Sequence, residues 1–437
     1  AGQMKRVNTR QIVLDILLQY EKEGTKLRPL LNAALDKYVY LDSRDRAFIK
    51  SLTEGVAERR ITLDYIADRV SKTPTERMKP VIRMIIRMGI YQLVFMEHVP
   101  DSAAVNEAVK LTRLKHIEGL GGVVNGVLRA VTRLRDEGIT YPDPETEYSC
   151  PGWIADRLRL DHGTLKAEAV IRSGVGSMPM YLRVNRLLAG RDEVAAELLG
   201  EGVRAVPADD APDILKVEEG SLAPGLSESF RKGRYSVQDL SSYTAVYEMW
   251  KQISVNINSE KPVDINIIDM CAAPGGKSCA LAELMEDKAH IRAYDISEDK
   301  LSRIRENTER TGLHSVEAAV GDATVHMDSL SGSADGVIAD LPCSGLGVMG
   351  RKVDIKYRVR PEDINALCEL QRSILDNAAD YVRPGGILLF SVCTVTREET
   401  FGNSEYIASK GLHKVAERLF LQGVDPCDGF YYSLWTK

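Results

Sequence analysis

Long apolar runs are what this sequence most plainly lacks. No stretch reaches the ~18 consecutive apolar residues a membrane-crossing helix requires. The greasiest run, residues 81–96, is interrupted by Arg83 and Arg87. A secretory leader is not expected, because the start is polar and Ala1-Gly2-Gln3 ahead of Met4 reads as a cloning remnant. Zinc-type cysteine spacing is missing, and seven cysteines are an odd number for a disulfide framework. Reduced thiols in a cytoplasm are the expectation. The seven histidines, His116 among them, show neither ligand nor triad spacing, so no metal is expected. Internal repeats and low-complexity segments are also absent.

What is present is an ordinary globular composition. The 437 residues are 44% hydrophobic and 27% charged, enough for two or three domains with cores of their own. The net charge of −6 conceals an asymmetry. Residues 1–140 carry 24 Lys+Arg against 17 Asp+Glu, and the remainder carries 33 against 46. A basic segment on an acidic body suggests a polyanion-binding module, although a basic helical face is commonly plain solvated surface.

Residues 5–138 read as almost entirely helical. Ile12, Val13, Ile16, Leu17 and Tyr20 recur at helical spacing, and similar patterns run through 30–35, 47–56, 61–70, 80–95, 102–114 and 123–134. Pro100-Asp101-Ser102 is a helix start, and 119–122 is expected to be a glycine loop. Tyr141-Pro142-Asp143-Pro144-Glu145 reads as a linker, and 151–166 as helix. A small α+β unit follows, with strands at 180–184, 203–206 and 214–217 and a helix at 191–200. From Asp264 on, buried strands at 265–270, 290–295, 316–320, 336–339 and 386–392 alternate with helices, the signature of a parallel doubly wound sheet. The expected fold is multidomain. An all-α bundle (5–140) precedes a linker helix and small α+β unit (141–235), then an α/β doubly wound, Rossmann-like domain (236–437).

The first strand of that sheet runs into Asp269-Met270-Cys271-Ala272-Ala273-Pro274-Gly275-Gly276-Lys277-Ser278, and a helix follows. Strand, glycine turn and helix set backbone N–H groups and a positive helix end beside a ligand. The second strand ends in Asp295, placed to accept both hydroxyls of a ribose. The third leads to Asp322, which suits an adenine amino group. A nicotinamide cofactor fits the generic pattern, but there is no GxGxxG, and Pro274 stands where the pyrophosphate glycine belongs. Adenosine and ribose without a diphosphate point to S-adenosylmethionine.

The fourth strand ends in Asp340-Leu341-Pro342-Cys343-Ser344, and the fifth in Ser391-Val392-Cys393-Thr394. Ligands of open α/β sheets sit at the carboxyl ends of strands, so two thiols and a carboxylate come to the cofactor crevice. Cys150, Cys279, Cys368 and Cys427 read instead as inert core thiols. Carbon 5 of cytosine is a poor nucleophile, and a thiolate added at carbon 6 makes it enamine-like, able to take a sulfonium methyl. A carboxyl such as Asp340 supplies a proton or hydrogen bond at ring nitrogen 3. The thiolate needs a lowered pKa; Lys277 is a candidate cation for that, or a group that orients the base. The residues alone do not say which cysteine attacks.

The strings DMCAAPGGKS, ADLPCSG and SVCT, in this order, resemble the Sun-type RNA 5-methylcytosine methyltransferases, and the likeness covers almost the whole chain. VVNGVLRA at 123–130 is similar to the NusB-like N-terminal domain of that family. PMYLRVNR at 179–186, VQDLSS at 237–242 and DGFYYSLWTK at 428–437 also match. The resemblance implies that Cys393 is the nucleophile and Cys343 assists product release. It implies cofactor contacts from Cys271, Ala272, Ala273, Pro274, Gly275, Gly276, Lys277, Asp295, Asp322 and Asp340. Its implied substrate is one cytosine of 16S ribosomal RNA. The expected partner is that RNA before full subunit assembly, met by a monomer. DLPCS replaces the usual DAPCS, VCT the usual TCS, and GRKVDIKYR the commoner RRHPDIKW, leaving both thiols and the carboxylate in place.

The target base must leave its stack to reach such a pocket. Candidate RNA contacts are Arg351, Lys352, Lys356, Arg358 and Arg360 after the fourth strand, and Arg183 and Asn185 on the small α+β strand. Two other functions compete: a nicotinamide oxidoreductase on the same fold, and a non-catalytic RNA-binding assembly factor.

Overall fold

A computed structural model describes residues 7–256 and 264–437 and divides them between two compact units. Ala1-Gly2-Gln3 lies outside the described residues. The first unit contains the N-terminal residues up to Asp156, together with Ile171–Gly176 and Met349–Arg358. Its main helices are Thr9–Glu23, Leu27–Lys37, Ser43–Glu58, Arg60–Val70, Pro80–Phe95, Asp101–Leu114 and Gly121–Glu137. Asn8 caps the first by accepting the Arg10 and Gln11 N–H groups at 3.0 and 3.1 Å. The apolar stripes read from the sequence form one core, with Leu14, Leu52, Ile85 and Leu128 fully buried. Arg83 and Arg87 do not break the helix they interrupt. Arg83 donates to Glu21 and Arg87 forks onto Asp64, each at 2.7 Å. Gly121 and Gly122 open a helix rather than extend the expected loop. A Cβ at Gly121 would lie 3.2 Å from the Thr112 hydroxyl, so the glycine lets this helix start close against its neighbour.

The second unit holds two sheets. The smaller comprises β1 (Met180–Val184), β2 (Arg204–Pro207), β3 (Ile214–Glu219) and β4 (Tyr235–Val237), antiparallel in the order β2-β3-β1-β4. The helix Arg191–Gly200 packs beside it. The larger comprises β5 (Asn266–Asp269), β6 (His290–Asp295), β7 (Val316–Val320), β8 (Ala334–Asp340), β9 (Val382–Val392), β10 (His413–Phe420) and β11 (Phe430–Thr436). Its order is β10-β11-β9-β8-β5-β6-β7. β5 to β9 pair in parallel, whereas β11 runs antiparallel to both β9 and β10. The five parallel strands are those expected; the antiparallel hairpin and β4 were not foreseen. The strand order reverses between β8 and β5, which opens a crevice at their carboxyl ends. Among the described residues no helix is long and apolar enough to cross a membrane.

Candidate active site

β5 ends at Asp269, and the chain turns into the helix Gly276–Leu284. Gly275 sits at φ +97°, a left-handed conformation that residues with a Cβ avoid. Its N–H donates to the Ala272 carbonyl at 2.6 Å. Ala272 N–H donates to Tyr294 O at 2.8 Å, and Ala273 N–H to Asp295 Oδ2 at 3.0 Å, so the end of β6 shapes the turn. Asp295 also accepts the Ile296 N–H at 2.8 Å and pairs with Lys300 at 3.0 Å. Asp322, just beyond β7, accepts the Thr324 hydroxyl and N–H, which hold its carboxyl below the ordinary aspartate value. Ile296 and Val320 leave apolar faces 60% and 57% exposed beside these acids. An adenosyl group fits such a set: an open turn at a helix N-terminus, carboxylates for ribose and amino hydrogens, and apolar cover for a purine. Pro274 is exposed and Cys271 half-buried; burial, then Asp269, Asp295 and Asp340, pushes the Cys271 thiol up to about 12.

Asp269 is buried and accepts the Ser278 hydroxyl at 2.6 Å. Burial pushes its carboxyl up to about 7. The folded chain therefore holds a proton that the unfolded chain releases from about pH 4 upward. The stability this contributes is present at low pH and drains as pH rises to 7, by about 1.4 kcal/mol per unit at most. Urea unfolding should show wild type losing ground to Asp269→Asn between pH 4.5 and 7. A difference that does not change with pH refutes this.

β8 and β9 carry the thiols. Asp340 pairs with Ser391 across the two strands, which puts Cys343 and Cys393 in adjacent turns. Their sulfurs are 3.4 Å apart, and both residues are half-buried. Sharing its proton with Cys393 keeps Cys343 well above the ordinary thiol value, with burial and the Glu399 charge adding to the rise. Asp340 accepts the Lys277 ammonium at 2.6 Å on one oxygen and the Ser391 hydroxyl at 2.7 Å on the other. Lys277 also lies 5.1 Å from the centroid of the Phe430 ring. The ion pair holds the Asp340 carboxylate in place. The backbone closes the group. Gly347 N–H donates to Cys393 O at 3.1 Å, and Gly429 N–H to Gly347 O at 2.8 Å. A Cβ on Gly347 would fall 2.0 Å from Gly429 O, so the two loops meet only because both are glycine.

Ser391, Glu399, Phe430 and the Gly347–Gly429 contact escaped the sequence reading. Ser391 had a usable signal: it stands two residues before Cys393 on a strand, hence on the same face as its end. Cys150, Cys279, Cys368 and Cys427 are buried, as expected of core thiols.

Three expected RNA contacts need correction. Arg183 is 2% exposed and forks onto Glu283 at 2.8 and 2.9 Å, leaving no face for a phosphate. Asn185 is buried and donates to the Gly233 and Thr311 carbonyls. Lys356 is 1% exposed in the helical unit. Burial pulls its ammonium down to about 8, opposed by the Glu58 charge. Arg358 is half-buried beside Asp354 at 3.4 Å. Lys352 and Arg360 are exposed, and Arg351 partly so.

Comparison with known proteins bears on the same segments. The family described as 16S rRNA methyltransferase RsmB/F matches residues 257–422, the NusB family matches 7–133, and the RsmF/B-like ferredoxin-like domain matches 150–222. A Bacillus subtilis protein named probable ribosomal RNA small subunit methyltransferase B is 32% identical over 91% of this chain and 87% of its own length. The crystal structure of PH0851 superposes with a TM-score of 0.78, at 24% identity, covering 100% of both chains. That of NSun6 from Pyrococcus horikoshii with SFG gives 0.57 at 21% identity, over 66% of this chain and 98% of the other. Fold and site together define the class, a Rossmann-like methyltransferase that uses S-adenosylmethionine and carries a NusB-like helical domain. The chain belongs to the ribosomal RNA small subunit methyltransferase B family. It is an rRNA-methylating enzyme, which sets aside both the nicotinamide oxidoreductase and the non-catalytic assembly factor.

Proposed function

We propose that this enzyme methylates carbon 5 of one cytosine in 16S ribosomal RNA through a transient bond between Cys393 and carbon 6. The observation that carries the reading is the pair of thiols 3.4 Å apart beside the Lys277–Asp340 ion pair. When bound, S-adenosylmethionine would supply an electrophilic methyl on its sulfonium, keeping the pair of the broken sulfur–methyl bond as a neutral thioether. The Cys393 thiolate bonds carbon 6, and the ring double-bond pair shifts to carbon 5, which takes the methyl. The proton that ring nitrogen 3 needs to stabilise the adduct comes from the Lys277 ammonium, relayed through the Asp340 carboxylate that accepts its hydrogen bond. A base then removes the carbon 5 proton, the double bond re-forms and the Cys393 thiolate leaves. Cys343, held protonated at ordinary pH, is suited to assist that departure.

The substrate base has to swing out of its stack, so RNA not yet sealed into a finished subunit is the form we assign. A cytoplasmic monomer with reduced thiols suits this chemistry. Lys352, Arg360 and Arg351 are the remaining candidates for phosphate contact. The test is transfer of a tritiated methyl to naked 16S RNA and to small subunits, with the product base mapped. Label on a cytosine carbon 5 is expected, and label on any other atom overturns the proposal. Cys343→Ala should additionally leave protein bound to RNA through denaturing electrophoresis; product release at the wild-type rate contradicts its part.

A further inference from the structure

We infer that Glu399 is a positioning residue that locks the two cysteine turns together and so sets the thiol spacing on which the proposed covalent reaction rests. Its carboxylate is 0% exposed and lies between the turns. Oε1 accepts the Ser344 N–H at 2.8 Å and the Gln371 amide at 3.1 Å. Oε2 accepts the hydroxyls of Ser344 at 2.5 Å, Thr396 at 2.8 Å and Thr394 at 3.2 Å. Ser344 directly follows Cys343, and Thr394 directly follows Cys393. One anion therefore grips the residue after each thiol, and the two hydroxyls are themselves 2.7 Å apart. Gln371 extends the hold by donating to the Pro342 carbonyl at 2.9 Å and accepting the Asn403 amide at 2.7 Å.

All five donors are neutral. A buried carboxylate with no cation among its donors is stable only while most of its lone pairs are satisfied. That requirement works in reverse on the turns: moving either one strips a donor from a buried charge. Core packing alone asks for no acid here. A second consequence is electrostatic. The Glu399 charge opposes ionisation of Cys343 and so favours a proton on that sulfur.

The test is Glu399→Gln in the full-length enzyme, which keeps the shape but sets an amide among hydroxyl and amide donors. Far-UV circular dichroism and a melt establish that the variant is folded. The first readout is kcat against KM. Misplacing reacting groups by about 1 Å costs on the order of 10²-fold in rate, so kcat should fall about that far with KM for S-adenosylmethionine within about twofold. The second needs no RNA. Equilibration with glutathione and its disulfide oxidises Cys343 and Cys393 to one disulfide while one glutathione disulfide becomes two thiols. Mass spectrometry of the linked peptides gives their effective concentration, which should drop by about tenfold or more as the turns separate. A folded variant that keeps both quantities within about twofold of wild type overturns the inference. If Glu399→Gln does not fold, Thr396→Val removes one donor from the same carboxylate and is judged by the same two readouts. If wild type methylates no cytosine yet the thiol equilibrium shifts in the variant, the clamp stands and the proposed reaction falls.

Discussion

Cys393→Ala is expected to slow methyl transfer by about 10³-fold or more, a barrier increase of ~4 kcal/mol, while S-adenosylmethionine affinity stays within about threefold. The two effects separate because the groups lie on different strands. The glycine turn is held by Ala272, Tyr294 and Asp295 at the ends of β5 and β6. Cys393 stands at the end of β9, and its carbonyl still takes the Gly347 N–H when the sulfur is gone. The Lys277–Asp340–Ser391 chain, at 2.6 and 2.7 Å, also survives intact. Single-turnover transfer gives the rate and equilibrium dialysis the affinity. Wild-type turnover by the alanine variant ends the nucleophile assignment. A parallel loss of cofactor binding shows that the sulfur acts through the cofactor pocket instead.

Arg183→Met should destabilise the catalytic unit by about 3–5 kcal/mol, because it leaves Glu283 buried without its ion partner. Both side chains are about 2% exposed, and the guanidinium additionally donates to the Gly276 carbonyl at 2.9 Å, the first residue of the cofactor helix. Burial alone already raises the Glu283 carboxyl. Without the arginine it rises further, so the folded chain keeps a proton that the unfolded chain has released. That contribution is present at low pH and lost as pH climbs, so the defect is smaller at pH 5 than at pH 8. Adding Glu283→Leu should recover most of the stability, since an apolar pair of similar volume replaces a buried ion pair at little cost. Urea midpoints of the single and double variants decide it. A single variant within about 1 kcal/mol of wild type shows the pair to be dispensable.

Arg183 also shows where the sequence misleads. The alternation around it located β1 to the residue, yet a basic side chain on a strand suggested a phosphate contact. The clue lay a hundred positions away, in one acid within the otherwise apolar stretch Cys279-Ala280-Leu281-Ala282-Glu283-Leu284. Buried pairs of this kind are invisible until the fold brings their halves together. Lys356 failed for the same reason. It belongs to a run of cations, but it is buried in the helical unit, where Glu58 is among the charges acting on it. β5, β8 and the end of β9 were legible because strands covered on both faces read as continuous apolar runs, and β6 because buried and exposed residues alternate along it. β10 was not, being mostly exposed at the sheet edge. The site was half legible. Strand ends gave the two thiols, Asp340 and the glycine turn. Ser391 and Glu399, which fix their geometry, look like ordinary polar residues in one dimension.

The stretch Met349–Arg358 has a practical consequence for anyone dissecting the molecule. It lies only a few residues beyond Cys343 in the chain, yet it counts with the N-terminal helices. There Asp354 accepts the Leu27 N–H at 3.1 Å and Tyr357 donates to the Glu58 carbonyl at 2.6 Å. A fragment ending near residue 156 forfeits this plug. A fragment beginning there carries it dangling, with Ile355 and Lys356 bared to water. Cutting the gene at the apparent border therefore yields two incomplete pieces, and a clean division requires grafting both the decapeptide and Ile171–Gly176 back onto the helical half.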